Sequence, residues 1–379
     1  MSPASRPESR RAEHEGAPAG RPAQATIPRA TYRVQLHGEF GFADATALVP
    51  YWAALGISHL YTSPPLRARP GSRHGYDVVA HDALNPELGT RADFDRLVEA
   101  LHAHGMGLVI DIVPNHMGVL SGDNAWWLDV LENGAASAYA EFFDIAWNTA
   151  DPVLAGKVLL PILGEQYGVI LERGELCLAF DAARGYFTLN YHEHRMPIDP
   201  ASYGALLRRA AKALPTRATP IGELVVLTRL ASQFDRLPPR TDAHPAARER
   251  RQQDKTVLKA QLAQRLRELP VLADAIADAI ASINGRPGER ASFDALDALI
   301  ESQPYRLAHW RIAADEINYR RFFDINELAA LRMERAEVFD ATHRFVLELA
   351  AGGAVDGLRI DHPDGLADPA GYFARLQRR

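Results

Sequence analysis

The sequence predicts an α/β protein of the (β/α)8 TIM-barrel type, with about the first four β/α units present and a large mixed, mostly helical insertion after the third strand. Three observations lead there. Strand-like and helix-like segments alternate from Thr31 to about residue 113, break off, and resume near residue 335. The third strand, GLVIDIV (107–113), carries apolar residues on both parities, as a strand covered on both faces of a parallel sheet does. Charged residues stand at the ends of two strands, where a barrel places chemistry.

Each element has its own local reason. TYRVQL (31–36) reads as a first strand. Residues 44–55 carry Leu48, Val49, Trp52 and Leu55 at helical spacing, and Gly56 stops the run. ISHLY (57–61) is a second strand, followed by a Pro/Gly-rich loop over 62–89. Thr90 is placed as an N-cap with Asp93 three residues on, and Phe94, Leu97, Val98 and Leu101 form a stripe ending near Gly105. Strand–helix–strand–helix–strand implies parallel pairing through right-handed crossovers. From 118 to 325 the alternation is replaced by strand-like pieces (157–163, 168–180, 186–190) among helical ones, with 244–283 expected as one or two long helices broken near Pro270. The charge run 247–255 is expected to be a solvated helix face. A helix over 335–351 uses Val338, Phe339, Thr342, Phe345, Val346 and Leu349, and Gly352 and Gly353 end it. A strand at 354–360 and a helix starting near Pro369 follow. The expected division is a tail over 1–26, barrel over 27–117, inserted subdomains over 118–325, and barrel again over 326–379. A closed barrel needs eight strands, so the chain reads as a truncated one.

Composition narrows the function. The chain has 379 residues, 47% of them hydrophobic and 24% charged, and a net charge of −6 that argues against nucleic acid as a partner. No run approaches the roughly 18 apolar residues of a membrane span, so no membrane partner is expected. The single cysteine, Cys177, allows neither an internal disulfide nor a zinc cluster, which suits a reducing compartment. Residues 1–26 hold no Val, Leu, Ile or aromatic residue, hence no signal peptide there, and they read as a disordered tail. A cytoplasmic location is expected.

In 354–361, strand alternation turns Gly357, Arg359 and Asp361 one way and Leu358 and Ile360 the other. Arg359 and Asp361 would then face the barrel mouth, with Asp111 of the third strand facing inward beside them. An Arg next to two carboxylates is expected to lower their pKa and keep them ionised. An ionised carboxylate at a strand's C-terminal end can act as a nucleophile; a purely structural inward salt bridge is the competing reading. DIVPNH (111–116) brings Asn115 and His116 to the same mouth, for ligand hydroxyls or acid–base work or simply to cap the loop. HGYD (74–77) offers Tyr76 for a sugar face or for ordinary packing. Metal readings are weak: His102 and His104 face different ways on a helix, and His192 and His194 share a strand-like face without a third ligand, so that a solvated loop suits them better. No Gly-rich phosphate loop or G-x-S-x-G stands in a supporting context. No cofactor and no metal are expected.

DIVPNH and GLRIDH, at two strand ends with a long insertion between them, resemble the first two sequence signatures of the alpha-amylase superfamily. The blocks TYRVQL, TSPPLRARPGSRHGYDVVAHDALNPELG, RRFFDINELAALR and VDGLRIDHPDGL resemble the maltooligosyl trehalose synthases within it, over roughly residues 30–379. The resemblance implies a retaining mechanism on malto-oligosaccharides or linear α-1,4-glucan. The reducing-end α-1,4 bond is cleaved and the glucose rejoined through an α,α-1,1 bond. Asp361 would be the nucleophile and Arg359 its support. Tyr76 and His116 would bind the transferred glucose, Asp111 would support Arg359, and Asn115 would brace the loop. His362, with Asp364, would line the acceptor side. A retaining mechanism also needs a second carboxyl about 5–5.5 Å from the nucleophile, which in the family is a Glu on the fifth barrel strand. With four units visible, the chain is expected to be an incomplete, inactive N-terminal part. Another amylase-like hydrolase or transferase, a non-catalytic glucan-binding protein and a metal-dependent barrel hydrolase are the alternatives.

Overall fold

Strands β1 (Thr31–Val34), β2 (His59–Thr62) and β3 (Gly107–Ile112) alternate with helices α1 (Phe42–Ala54) and α2 (Arg91–Ala103) in a computed structural model that describes residues 27–214, 221–242 and 244–379. The expected tail at 1–26 lies outside the described residues. Helix α2 begins as its sequence requires. Asp93 donates its backbone N–H to the Thr90 hydroxyl, and the Asp93 carboxylate accepts the Thr90 N–H at 2.7 Å. Phe94, Leu97, Val98 and Leu101 are all buried. Gly56 ends the stretch after α1 at φ +80°, a conformation that favours a residue without a Cβ.

The insertion begins with a short strand, β4 (His116–Gly118), and helix α3 (Ala125–Asn133). Next come β5 (Val158–Leu163), α4 (Tyr167–Glu172), β6 (Cys177–Asp181), β7 (Tyr186–Tyr191) and β8 (His194–Pro197). Helices α5 (Tyr203–Ala213), α6 (Ile221–Phe234), α7 (Pro245–Glu268), α8 (Pro270–Ile283) and α9 (Asp294–Glu301) lead to β9 (Tyr305–His309), the single turn α10 (Ala313–Glu316) and β10 (Leu328–Ala330). The strands form an antiparallel meander β6–β7–β8, a parallel pair β5–β9, and an antiparallel pair β4–β10 in which Ala330 faces His116. That last pair ties the end of the insertion back to its start. Helix α11 (Ala336–Ala351), strand β11 (Gly357–Ile360) and helix α12 (Pro369–Arg378) close the described chain.

The main sheet is parallel and runs β1–β2–β3–β11, with His59 opposite Gly107 and Arg359 opposite Asp111. It is an open sheet of four strands, not a closed barrel, and among the described residues β1 and β11 are its edges. One core, built on Phe42, Trp52, Phe94, Leu108 and Ile110, joins the sheet to α1 and α2. A second fills the insertion around Trp127, Phe143, Phe187, Tyr203 and Phe234. Helix α11 serves both, giving Val346 and Leu349 to the first and Val338 and Phe339 to the second.

Three expectations need correction. Residues 168–180 are not one strand: Tyr167–Glu172 is helical and only Cys177–Asp181 pairs. A short apolar run carries too few turns for its period to declare itself. Residues 247–255 are not simply a solvated face. Arg251 and Lys255, four apart, are turned inward, where Lys255 Nζ lies 2.5 Å from Asp129 Oδ1 and 2.7 Å from Glu132 Oε2. Arg251 Nη2 lies 2.5 Å from Asp199 Oδ1. His192 and His194 share no strand face, since His192 sits in the turn between β7 and β8 at φ +48°.

Candidate active site

Because β11 and β3 pair in register, Arg359 and Asp111 lie side by side, and alternation brings Asp361 to the same face one step further. The pairing extends to Asp361, whose N–H donates to the Ile112 carbonyl at 2.9 Å. Arg359 Nη1 donates to both oxygens of Asp111, each at 3.1 Å, and to Asp361 Oδ1 at 2.5 Å. Asp111 Oδ2 also accepts the hydroxyls of Tyr76 at 2.7 Å and Tyr61 at 2.8 Å. Arg33 in turn donates to the Tyr76 hydroxyl at 3.2 Å and lies over the Tyr61 ring.

Electrostatics here follow burial as well as pairing. Asp111 is fully buried, and burial raises its pKa above the ordinary carboxylate value, against the hydrogen bonds of Tyr76, Tyr61 and Arg359. The expectation that Arg359 lowers both carboxylates is therefore wrong for Asp111: loss of solvent outweighs the neighbouring charge. For Arg359 the balance is opposite. Burial works against its charge, but the bonds to Asp361 and Asp111 prevail and raise its pKa. Burial pushes the Tyr76 hydroxyl up to about 12, with help from Asp111. Burial also lowers His116 to about 4 despite the nearby Asp361 charge, so its imidazole is neutral at ordinary pH.

Above this network lies a cavity of about 540 Å³, lined by Tyr76, Asp77, His116, Phe322, Leu328, Glu327 and Asp361, among others. The structure thus brings Asp361, Tyr76 and His116 to one opening. Asp111 and Asn115 are at the same mouth but below its surface, so neither is placed to touch a ligand. Asn115 Oδ1 instead accepts from Arg320 at 3.3 Å. His362 follows Asp361 at the rim, with φ +46° and its Nδ1 3.4 Å from Asp364 Oδ1. Among the described residues no group of acidic, His or Cys side chains is arranged to hold a metal ion, and no helix is long and apolar enough to cross a membrane.

Residues 44–188 match the family model described as alpha amylase, catalytic domain. Over 353 residues the chain is 35% identical to a putative maltooligosyl trehalose synthase of Mycobacterium tuberculosis strain H37Rv, covering 92% of this chain and 32% of that protein. The structure of maltooligosyltrehalose synthase from Arthrobacter ramosus superposes with a TM-score of 0.61 at 33% identity, over 93% of this chain and 33% of that one. A hypothetical maltooligosyl trehalose synthase of Sulfolobus tokodaii gives 0.59 at 27% identity, over 93% of this chain and 34% of that one. Over nearly its whole length the chain is similar to maltooligosyl trehalose synthases, and part of it matches the alpha-amylase catalytic domain. It spans about a third of the length of these relatives.

Two parts of this site escaped sequence reasoning. Tyr61 is the penultimate residue of β2, and the rule applied to Asp111 and Asp361, inward parity near a strand's C-terminal end, would have found it. Arg320 left no such signal. It donates to Asp144 Oδ2 (2.9 Å), Asn115 Oδ1 (3.3 Å), the Gly365 carbonyl (2.8 Å) and the Leu331 carbonyl (3.0 Å), partners far apart along the chain.

Proposed function

We propose that this chain carries the nucleophile side of a glucan-rearranging centre that converts the reducing-end α-1,4 bond of malto-oligosaccharides into an α,α-1,1 bond. The observation behind it is the clamp at the mouth. Buried Asp111 fixes Arg359, and Arg359 holds Asp361 Oδ1 at 2.5 Å beside a cavity of sugar size. In this reading Asp361 attacks the anomeric carbon of the scissile bond. The departing glucose oxygen takes a proton from a general acid. The anomeric hydroxyl of that glucose then attacks the glycosyl–Asp361 ester and returns its proton to the same group, so configuration is retained and no water is consumed. Tyr76 and His116 line the site of the transferred sugar, Asp111 and Asn115 support from below, and His362 stands on the acceptor side.

The acid is the weak point of the chain as described. Asp111 is buried and committed to Arg359 and two tyrosines. Of the other carboxylates at the cavity, Asp77 accepts from Ser72 at 2.5 Å and Glu327 from Arg69 at 2.7 Å. With no uncommitted second carboxyl at this cavity among the described residues, we propose that the chain binds malto-oligosaccharide but turns it over poorly, since lack of a general acid costs a factor of order 10²–10⁴. That shortage also supports a second reading, a glucan-binding protein without catalysis. Incubation with maltopentaose, assayed separately for lost reducing ends and for released glucose, tests both. Isomerisation at ordinary enzymatic rates of about 1–10³ s⁻¹ would show that the acid is present after all. Glucose release without isomerisation would point to a hydrolase, and absence of any binding would remove the glucan reading.

A further inference from the structure

Three non-glycine residues among those described have positive φ: His192, Phe323 and His362. His192 is explained by its place in the tight turn joining β7 to β8. The other two touch each other, with ring centroids 5.3 Å apart, and His362 directly follows Asp361 in the chain. A bulky side chain at φ +50° is strained, and such strain persists only where the surroundings enforce it. Phe323 bears a second cost, for at 70% exposure it is the most exposed aromatic ring among the described residues. Folding gains little from a ring held this way.

The loop that holds it is firmly built. Phe322 donates its N–H to the Leu328 carbonyl at 2.9 Å, and Ile325 donates to the Phe322 carbonyl at 3.1 Å. Arg321 reaches the Asn326 side chain and the Asp324 carbonyl. Phe322, inside the cavity, packs against His116 at 4.4 Å and meets His362 edge-on at 4.8 Å, with Phe323 edge-on to it at 4.5 Å. A row of rings therefore leads from the cavity to its rim and ends on an exposed face. We propose that Phe323, with His362 beside it, is a binding platform for the glucose unit next to the one facing Asp361. The aromatic face would take the C–H face of the pyranose, and the His362 imidazole a hydroxyl on its edge. An α-glucan unit has an apolar face edged by hydroxyls, which matches an aromatic plane flanked by one polar ring. The platform rests on the glucan reading above and adds a residue to it.

The test is calorimetric binding of maltopentaose to the full chain, for the wild type, Phe323→Ala and Phe323→Trp. Loss of one well-placed ring contact is worth roughly tenfold in affinity. Phe323→Ala is expected to bind about tenfold more weakly with an unchanged melting midpoint, because the ring is exposed. Phe323→Trp is expected to retain binding. In the wild-type complex, pyranose C–H proton signals should shift upfield through the ring current, and Phe323→Ala should abolish the shift. Unchanged affinity in Phe323→Ala overturns the platform while leaving the glucan reading intact. Weaker binding accompanied by a clearly lowered melting midpoint also overturns it, assigning the ring to the fold. If the wild type binds no maltopentaose, the glucan reading fails and takes the platform with it.

Discussion

Asp111→Asn separates two accounts of what the buried carboxylate contributes. Counting bonds, Asp111 accepts from Arg359 and from two tyrosine hydroxyls. An Asn oxygen in the Oδ2 position keeps both tyrosines, but at the strength of neutral pairs, a loss of about 1 kcal/mol each. Its amide would face Arg359 donor to donor. That pair is worth no more than about 0.5–1 kcal/mol, because the Arg359 side chain is 43% exposed and screened by water. The count alone predicts a deficit of about 3 kcal/mol. Burial, however, raises the Asp111 pKa despite all three donors, so ionising this carboxyl in the folded protein is a net cost. A neutral Asn escapes that cost, so the expected deficit at pH 7 is smaller than the count alone gives. The pH dependence carries the sign. A carboxyl whose folded-state pKa is raised binds its proton more tightly when folded. Its stabilising contribution is complete below the unfolded value and is lost as pH rises through the folded one. The deficit of Asp111→Asn, measured by urea unfolding of both proteins across that window, should therefore shrink as pH rises. A deficit that grows with pH, or exceeds about 4 kcal/mol at pH 7, would refute the dominance of burial.

Other parts of the structure make simpler predictions. Replacing Arg320 by Met strands the acceptors it satisfies and should lower stability by about 2–4 kcal/mol in urea titrations. Lys255→Met removes one of the two lysines that hold the Glu132 pKa down against its burial, and should cost about 2–4 kcal/mol. Lowered to about 4, His116 stabilises the fold fully above the ordinary histidine value and less as pH falls toward 4. Its ring proton signals should therefore not titrate between about pH 5.5 and 8, and a midpoint near 6.5 would contradict its burial.

What the sequence made legible was local. Helix α2 declares itself through Thr90, Asp93 and four apolar residues at helical spacing, each acting within a turn or two. The site was legible for a related reason. Alternation decides which way Arg359, Asp361 and Asp111 point, and parallel pairing then brings the strand ends together. What stayed hidden depends on distant partners. Arg251 and Lys255 look solvated in a run of charges, and only the placing of Asp129, Glu132 and Asp199 against that helix turns them inward. The direction of the Asp111 shift was misread likewise, because a neighbour's charge is visible in sequence and depth of burial is not.

Arg320 shows why the insertion matters to the mouth rather than merely decorating it. Its guanidinium joins four segments: Asp144 in the insertion, Leu331 just after β10, Asn115 after β3, and Gly365 after β11. The last two belong to the loops that present His116 and Asp361. Strand pairing fixes Asp361 only as far as its backbone N–H, and His362 immediately beyond it is already in a left-handed conformation. Past that point it is a side chain from outside the sheet that sets how the two loops sit against each other. A guanidinium suits this task because its planar donors satisfy several carbonyls in fixed directions at once, which an ammonium cannot do. Arg320→Lys should thus retain much of the charge and little of the geometry, and the spacing between His116 and Asp361 would become the variable that a sugar in the cavity senses.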